Sequence, residues 1–244
     1  MKTKLFVLVA ALALFATANS AADAATTAFT YSLNNTLTED SGSGPSLVAY
    51  GGTLTSAGYF FGPNTGLSLS NAVNPNAYSI DIHFYFDDIS ASFNGYQRLI
   101  DFKNRATDVG LYSLNGTVDC FGCGGAAASA SFVSGQFADL RVTRSVAGLF
   151  NVSVNGSSVL SIADSASLNT TFSGPNNIIY FFIDDFQTLL NYPPEAGSGR
   201  ITFIEVSSDL SAVPLPAALP LFATGLGALG LLGWRRKRKA SLSA

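Results

Sequence analysis

The sequence predicts an all-β domain, built as a two-sheet antiparallel sandwich or jelly roll. No segment of ten or more residues between 26 and 212 keeps a clean 3.6-residue period, whereas alternation with a period of two is frequent. Two Asn-Gly pairs each follow an alternating apolar run. Turn residues (Gly, Asn and Pro) separate the other short apolar runs, as in domains made of many short strands.

The first strong strand lies at residues 78–86, YSIDIHFYF. Its first, third, fifth, seventh and ninth residues are apolar or aromatic, and the residues between them are Ser, Asp, His and Tyr, so one face is expected to lie on a core. Residues 36–66, rich in Ser, Gly, Thr and Asn, are expected to hold shorter edge strands and loops.

Two hairpins and two further strands complete the predicted domain. Asn115-Gly116 and Asn155-Gly156 favour two-residue type I′ turns, in which both positions take positive φ. Residues 178–183, IIYFFI, form a continuous apolar run, which indicates a strand covered on both faces. Residues 200–206, RITFIEV, form the closing strand.

The first 24 residues have the pattern of a secretory signal peptide. Lys2 and Lys4 precede an apolar stretch at residues 5–15, and small residues follow it at residues 20–24. A buried N-terminal helix is the alternative. The mature chain is therefore expected to begin near residue 25 and to work outside the cytoplasm.

The other end carries a membrane-length segment. Residues 215–234 hold no charge and are long enough to cross a bilayer core of about 30 Å as a helix. Five basic residues follow at 235–239 and favour a cytoplasmic end, before a short tail at 240–244. A permanent single-pass anchor is one interpretation of this segment.

The residues Val213, Pro214, Leu215 and Pro216, the helix and the basic cluster together resemble a PEP-CTERM sorting signal at residues 213–239. Leu215 stands where that family usually has Glu. The resemblance implies a Gram-negative bacterium that makes exopolysaccharide, and an exosortase that recognises the signal. It also implies an inner-membrane precursor that faces the periplasm and is then released to the cell surface or extracellular matrix.

The region between the two ends, residues 25–212, is acidic. Six basic against fifteen acidic residues give it a formal charge of −9, compared with −3 for the whole chain. This surface disfavours nucleic acid and anionic polymers, and it is compatible with neutral glycans and divalent cations. The chain's two cysteines, Cys120 and Cys123, are expected to form a small disulfide outside the cytoplasm, with a small effect on stability.

A second resemblance spans residues 78–209. Residues 96–116, residues 138–156 with their V-x-V-N-G ending, and the GRITFIEV strand resemble the laminin-G/concanavalin-A-like jelly roll. That superfamily houses lectins, adhesion modules and β-glucanases. These motifs are structural, so they bear on the fold more than on function.

The spacing of carboxylates in the sequence disfavours an enzyme. Related glucanases place E-x-D-x-E on one strand face, because retaining glycosidases need two carboxylates about 5 Å apart. The nearest match here is Ser79, Asp81 and His83, which lacks both glutamates. A non-catalytic domain is therefore predicted.

Two sets of residues are candidates for binding. Aspartates at strand ends could hold Ca²⁺, the one cofactor considered, although turn residues and solvated strand ends are the alternative. They are Asp87, Asp88, Asp101, Asp108, Asp184 and Asp185. Four tyrosines could stack on sugars, namely Tyr96, Tyr112, Tyr180 and Tyr192.

The sequence thus predicts an exported, exosortase-sorted surface or matrix protein whose domain binds extracellular polysaccharide or a cell-surface glycan. A structural biofilm-matrix protein without a specific ligand is the first alternative. A glycan hydrolase or lyase is the second.

Overall fold

The computed structural model describes residues 27–184 and 195–208. The predicted signal peptide, the membrane segment, the basic cluster and the motif Val213, Pro214, Leu215 and Pro216 lie outside the described residues. Asp185 and Tyr192 lie outside them as well. Within the described ranges, no helix has the length and apolarity needed to cross a membrane.

The described chain folds into antiparallel strands with two short 3₁₀ turns, at Phe93–Gly95 and Pro175–Asn177. The strands are β1 Thr27–Tyr31, β2 Val48–Tyr50, β3 Thr53–Thr55, β4 Gly58–Phe61, β5 Gly66–Leu69, β6 Tyr78–Phe86, β7 Tyr96–Asp101, β8 Gly110–Leu114, β9 Thr117–Phe121, β10 Gly125–Ala130, β11 Ala138–Arg144, β12 Leu149–Val154, β13 Ser157–Ala163, β14 Ile179–Phe181 and β15 Gly199–Ser208. The all-β prediction is confirmed.

These strands form two sheets. Sheet A has the order β13-β12-β11-β6-β15-β4-β3, and β1 pairs with the far end of β15. Sheet B has the order β10-β9-β8-β7-β14-β5-β2. Strands distant in sequence are therefore neighbours in space, as in a jelly roll. The expected short strands of residues 36–66 include both β2 and β3, each at the edge of a sheet, so that prediction is confirmed.

The core contains the inward side chains of both sheets. Strand β6 has buried apolar residues at every second position, including Ile80, Ile82 and Phe84, with half-buried Asp81 and His83 between them. The predicted alternation is therefore confirmed. Burial of each such side chain stabilises the fold by about 1.5–3 kcal/mol. The strand order places β6 and its neighbour β15 in the middle of sheet A.

The hairpin predictions are also confirmed. Asn115 and Gly116 have φ of 49° and 84° and connect β8 to β9, where Leu114 pairs with Thr117. Asn155 and Gly156 have φ of 51° and 77° and connect β12 to β13. The apolar run at residues 178–183 contains β14, which is buried throughout but only three residues long.

Candidate functional site

Three of the predicted ligand tyrosines lie on one surface, the outer face of sheet B. Arg98 on β7 pairs with Tyr112 on β8, and Tyr180 on β14 pairs with Asp101 on β7. Tyr96 lies two residues before Arg98 and shares its face. The neighbouring positions of β8 and β9 point the other way, into the core. The structure therefore brings together residues that the sequence separates by up to 84 positions.

Two of these tyrosines are covered, which corrects the prediction that they stack on a sugar. Tyr112 is 0% exposed and Tyr180 is 7% exposed. The Arg98 guanidinium lies 4.3 Å from the centre of the Tyr112 ring, and the rings of Tyr96 and Phe121 approach that ring edge-on. Burial raises the pKa of Tyr112 far above its usual value. Its ring therefore serves packing in this structure, and only Tyr96 remains half-buried.

The arginine that covers the Tyr112 ring belongs to a buried ionic network. Arg98 donates from Nη1 to Asp101 Oδ2 and from Nη2 to Asp184 Oδ1, both at 3.2 Å, and all three side chains are almost fully buried. Gly110 leaves room for the guanidinium, because a Cβ there would lie 2.4 Å from Arg98 Nη1. Burial raises the pKa of Asp101, while the Arg98 charge acts against that rise. Asp184 is thus an ion-pair partner.

The other predicted calcium ligands have separate protein partners. Asp87 accepts a hydrogen bond from Ser198, and Asp88 accepts from the backbone and hydroxyl of Ser90. Within residues 27–184 and 195–208, Asp108 accepts a hydrogen bond from the Tyr112 hydroxyl through its backbone carbonyl. Among residues 27–184 and 195–208, no three His, Cys, Asp or Glu side chains are grouped to hold a metal ion. In the structure Asp87 engages Ser198 and Asp88 engages Ser90, and calcium binding by these aspartates stays a prediction.

The two cysteines form a disulfide between Cys120 in β9 and Cys123 just after it. Both are buried, and Cys120 belongs to the core between the sheets. The bridge therefore closes the tight connection from β9 to β10.

A different group of rings lies on the outer face of sheet A. The Arg200 guanidinium carbon lies 5.4 Å from the centre of the Phe60 ring, 5.2 Å from Tyr85 and 5.0 Å from Phe137. The strand register explains the arrangement, because Arg200 on β15 pairs with Phe60 on one side and with Tyr85 on the other. These four residues are called the aromatic cluster below.

His83 extends the aromatic cluster towards the middle of the sheet. Its ring stacks on Phe137 with centroids 4.6 Å apart, and its Nδ1 lies 2.6 Å from Asp139 Oδ1. Asp139 pairs with His83 across β11 and β6, so the carboxylate holds the imidazole flat against Phe137. Two of the rings are substantially open to solvent, with Phe60 37% and Phe137 38% exposed.

A polar groove of about 290 Å³ lies on the same face beyond His83, and it is called the polar groove below. Its lining comes from β11, β12, the turn after β12 and the start of β13, and it comprises Arg141, Thr143, Asn151, Val152, Ser153, Gly156 and Ser158. Arg141 pairs with Asp81 at 3.4 Å, next to the His83–Asp139 pair. Burial raises the pKa of Asp81, and the Arg141 charge opposes that rise. Exposed rings and a hydroxyl- and amide-lined groove therefore adjoin on one sheet.

Sequence reasoning identified neither Phe60, Phe137 nor Arg200 as a surface residue with a role. One signal was available, since the period-two alternation of β6 places Tyr85 and His83 on its polar side. An aromatic residue at such a position marks a ring outside the core. The contacts with Phe60 and Phe137 depend on strand order, which the sequence pattern does not reveal.

The comparisons with known proteins concern the fold. No protein-family model matches the sequence, and no curated protein matches it significantly. Among solved structures, the receptor-binding domain of botulinum neurotoxin C/D mosaic serotype is similar with a TM-score of 0.52 and 13% identity, over 73% of this chain and 46% of that one. Trypanosoma rangeli sialidase in complex with sialic acid is similar with a TM-score of 0.51 and 12% identity, over 73% of this chain and 30% of that one.

These likenesses show that the fold is a jelly-roll β-sandwich, as predicted. The chain spans less than half the length of the solved structures it matches. At such low identity the likeness carries the fold and not the ligand.

Proposed function

We propose that this domain is a non-catalytic module that binds extracellular polysaccharide or a cell-surface glycan through the outer face of sheet A. The observation that supports it is the aromatic cluster beside the polar groove. The exposed rings of Phe60 and Phe137 offer flat surfaces to the C–H faces of sugars. The groove offers hydroxyl, amide and guanidinium groups to sugar hydroxyls.

The rigidity of the site favours this function. Every ring of the aromatic cluster except Phe137 belongs to a strand, and Phe137 directly precedes β11. Side chains on paired strands lose little freedom when a ligand binds, so less of the contact energy is lost to ordering.

We also propose that the domain is exported by the signal peptide at residues 1–24 and sorted by an exosortase acting on residues 213–239. The support is the layout of these two ends in the sequence. Mass spectrometry of the secreted protein from strains with and without the sorting enzyme tests this. Loss of the C-terminal segment only in the strain that has the enzyme is expected, and an intact C-terminus in both strains would contradict it.

Affinity electrophoresis of the full chain, in mild detergent, tests glycan binding. Gels containing the producer's exopolysaccharide, with calcium or with EDTA, should retard the protein in both conditions, because the aromatic cluster needs no metal. Retardation only in the presence of calcium would indicate a metal-dependent site formed by the aspartates. Free migration in both would favour a structural matrix protein without a specific ligand.

A glycan hydrolase is the second candidate, favoured by one observation. Asp81 on β6 lies opposite Glu205 on β15, so two carboxylates share the outer face of sheet A beside the polar groove. The raised pKa of Asp81, caused first by burial, suits a proton donor. Release of reducing sugar that disappears in both Asp81→Asn and Glu205→Gln would establish hydrolysis, and no release from the wild type would exclude it for the sugars tested.

A further inference from the structure

Arg200 differs in its partners from three other arginines of the described chain, which lie beside carboxylates. Arg98 pairs with Asp101 and Asp184, and Arg141 pairs with Asp81. Arg144 also lies 3.8 Å from a carboxylate, that of Asp164. Arg200 contacts aromatic rings, and no carboxylate of the described chain forms a salt bridge with it.

The donors of Arg200 are also unused within the part of the chain that the structure describes. Its Nε is buried and has no hydrogen-bond partner. Its two Nη groups are not buried and make no hydrogen bond to a described residue. The guanidinium thus lies close to three rings while its outer N–H groups are not buried. This is the arrangement that accepts an anion with two parallel hydrogen bonds.

We propose that Arg200 recognises the carboxylate of an acidic sugar, a hexuronate, and that Phe60 and Phe137 hold the sugar ring against the sheet. This rests on the proposed glycan-binding function and adds the class of sugar. A carboxylate fits better than a neutral hydroxyl, because the charge of Arg200 is not neutralised by any described acid. Partial exclusion of water by the three rings strengthens such a pair relative to one in bulk solvent.

The acidity of the domain limits the type of ligand. Of the acids on this face, Asp139 is engaged by His83 and Asp81 by Arg141, while Glu205 lies opposite Asp81. Repulsion from these charges is largely screened beyond about 8 Å at physiological ionic strength, whereas the Arg200 contact acts at hydrogen-bond distance. A saccharide with isolated carboxylates therefore fits this site better than a dense polyanion.

The test uses matched oligosaccharides that carry one glucuronate, galacturonate or mannuronate residue, and the same compounds after reduction of the carboxyl to an alcohol. Calorimetry with the full chain in detergent should show that carboxyl reduction weakens binding of at least one compound about tenfold. In Arg200→Gln the two forms should bind alike, and Arg200→Lys should recover only part of the difference, because Lys lacks the planar fork.

Phe121→Ala is the control, since Phe121 is an exposed ring of similar accessibility on sheet B, away from the aromatic cluster. It should keep the full preference for the acidic form. The melting temperature and the affinity for the reduced sugar show whether Arg200→Gln is folded.

Each other outcome decides the matter. Equal affinity of the wild type for acidic and reduced forms would overturn the inference and leave the proposed glycan binding intact. Tighter binding of a sulfated counterpart than of the carboxylated one would also overturn it. If neither form of any compound binds, the inference fails, and glycan binding then depends on the gel-retardation result.

Discussion

Replacement of Arg98 by Met tests whether the buried ion pairs of Arg98 on sheet B stabilise the fold. The guanidinium lies between the carboxylates of Asp101 and Asp184, at 3.2 Å from each, and all three side chains are 0–2% exposed. Asp101 also accepts backbone N–H groups of Lys103 and Arg105, so its carboxylate is fixed in place. Without Arg98, two buried carboxylates would lose the cation to which both are hydrogen-bonded.

Breaking a buried pair by removing one partner costs about 3–5 kcal/mol, because an uncompensated charge remains in a poorly solvated site. We therefore expect Arg98→Met to lower the free energy of unfolding by about that amount at pH 7. Burial already raises the pKa of Asp101, and loss of Arg98 raises it further. A carboxyl whose folded pKa is raised destabilises the fold above that pKa, so the loss should shrink as the pH falls towards 4.

Urea unfolding at pH 7 and pH 4, followed by far-UV circular dichroism, measures the loss of stability and its dependence on pH. Arg141→Met is the matched control, because Arg141 itself is 60% exposed and its pair with half-buried Asp81 should contribute no more than about 1 kcal/mol. Adding Asp101→Asn and Asp184→Asn to Arg98→Met should recover part of the lost stability. A loss below about 1 kcal/mol that does not depend on pH would refute the reasoning.

Three further predictions concern stability. The pKa of Glu39 is lowered to about 2, first by the Ser41 hydroxyl and then by backbone N–H groups. The Glu39 carboxylate therefore stabilises the fold fully above its unfolded pKa, and this stabilisation is lost as the pH falls towards 2. The melting temperatures of the wild type and Glu39→Gln should therefore differ at pH 7 and converge near pH 2. Gly156→Ala should cost about 1–2 kcal/mol in urea unfolding, because its φ is 77° and its surroundings are open. Gly66→Ala should cost clearly more, since its Cβ would meet the backbone oxygen of Phe181 at 2.1 Å; equal costs would contradict the structure. Reduction of the Cys120–Cys123 disulfide should lower stability by about 2 kcal/mol or less, because the closed loop is very short, and complete unfolding on reduction would be inconsistent with this.

The sequence was sufficient for the strands and turns that have strong local signals. The alternation in Tyr78–Phe86 and the two Asn-Gly turns predicted β6 and both hairpins correctly, because burial on one face and positive φ each leave a direct mark on residue choice. The pairing of β15 with β6, β4 and β1 depends on contacts between distant segments. Such contacts leave no local pattern.

For the candidate site, too, the sequence identified individual residues but not the contacts between distant strands. The sequence singled out Tyr96, Tyr112 and Tyr180, and the structure does bring them to one face. It could not indicate that the Arg98 guanidinium lies over Tyr112, or that Arg105 and Tyr50 lie against Tyr180. The aromatic cluster was missed because its members come from β4, β6, β15 and the residue before β11.

The most direct measurement for the central claim is the affinity of the Phe60→Ala, Phe137→Ala double variant for the producer's exopolysaccharide, relative to the wild type and to Phe121→Ala. At about 1 kcal/mol for each lost ring contact, the double variant should bind about thirtyfold more weakly. Phe121→Ala should bind like the wild type, since its ring lies on sheet B. Equal affinity of all three proteins would contradict the assignment of glycan binding to the outer face of sheet A.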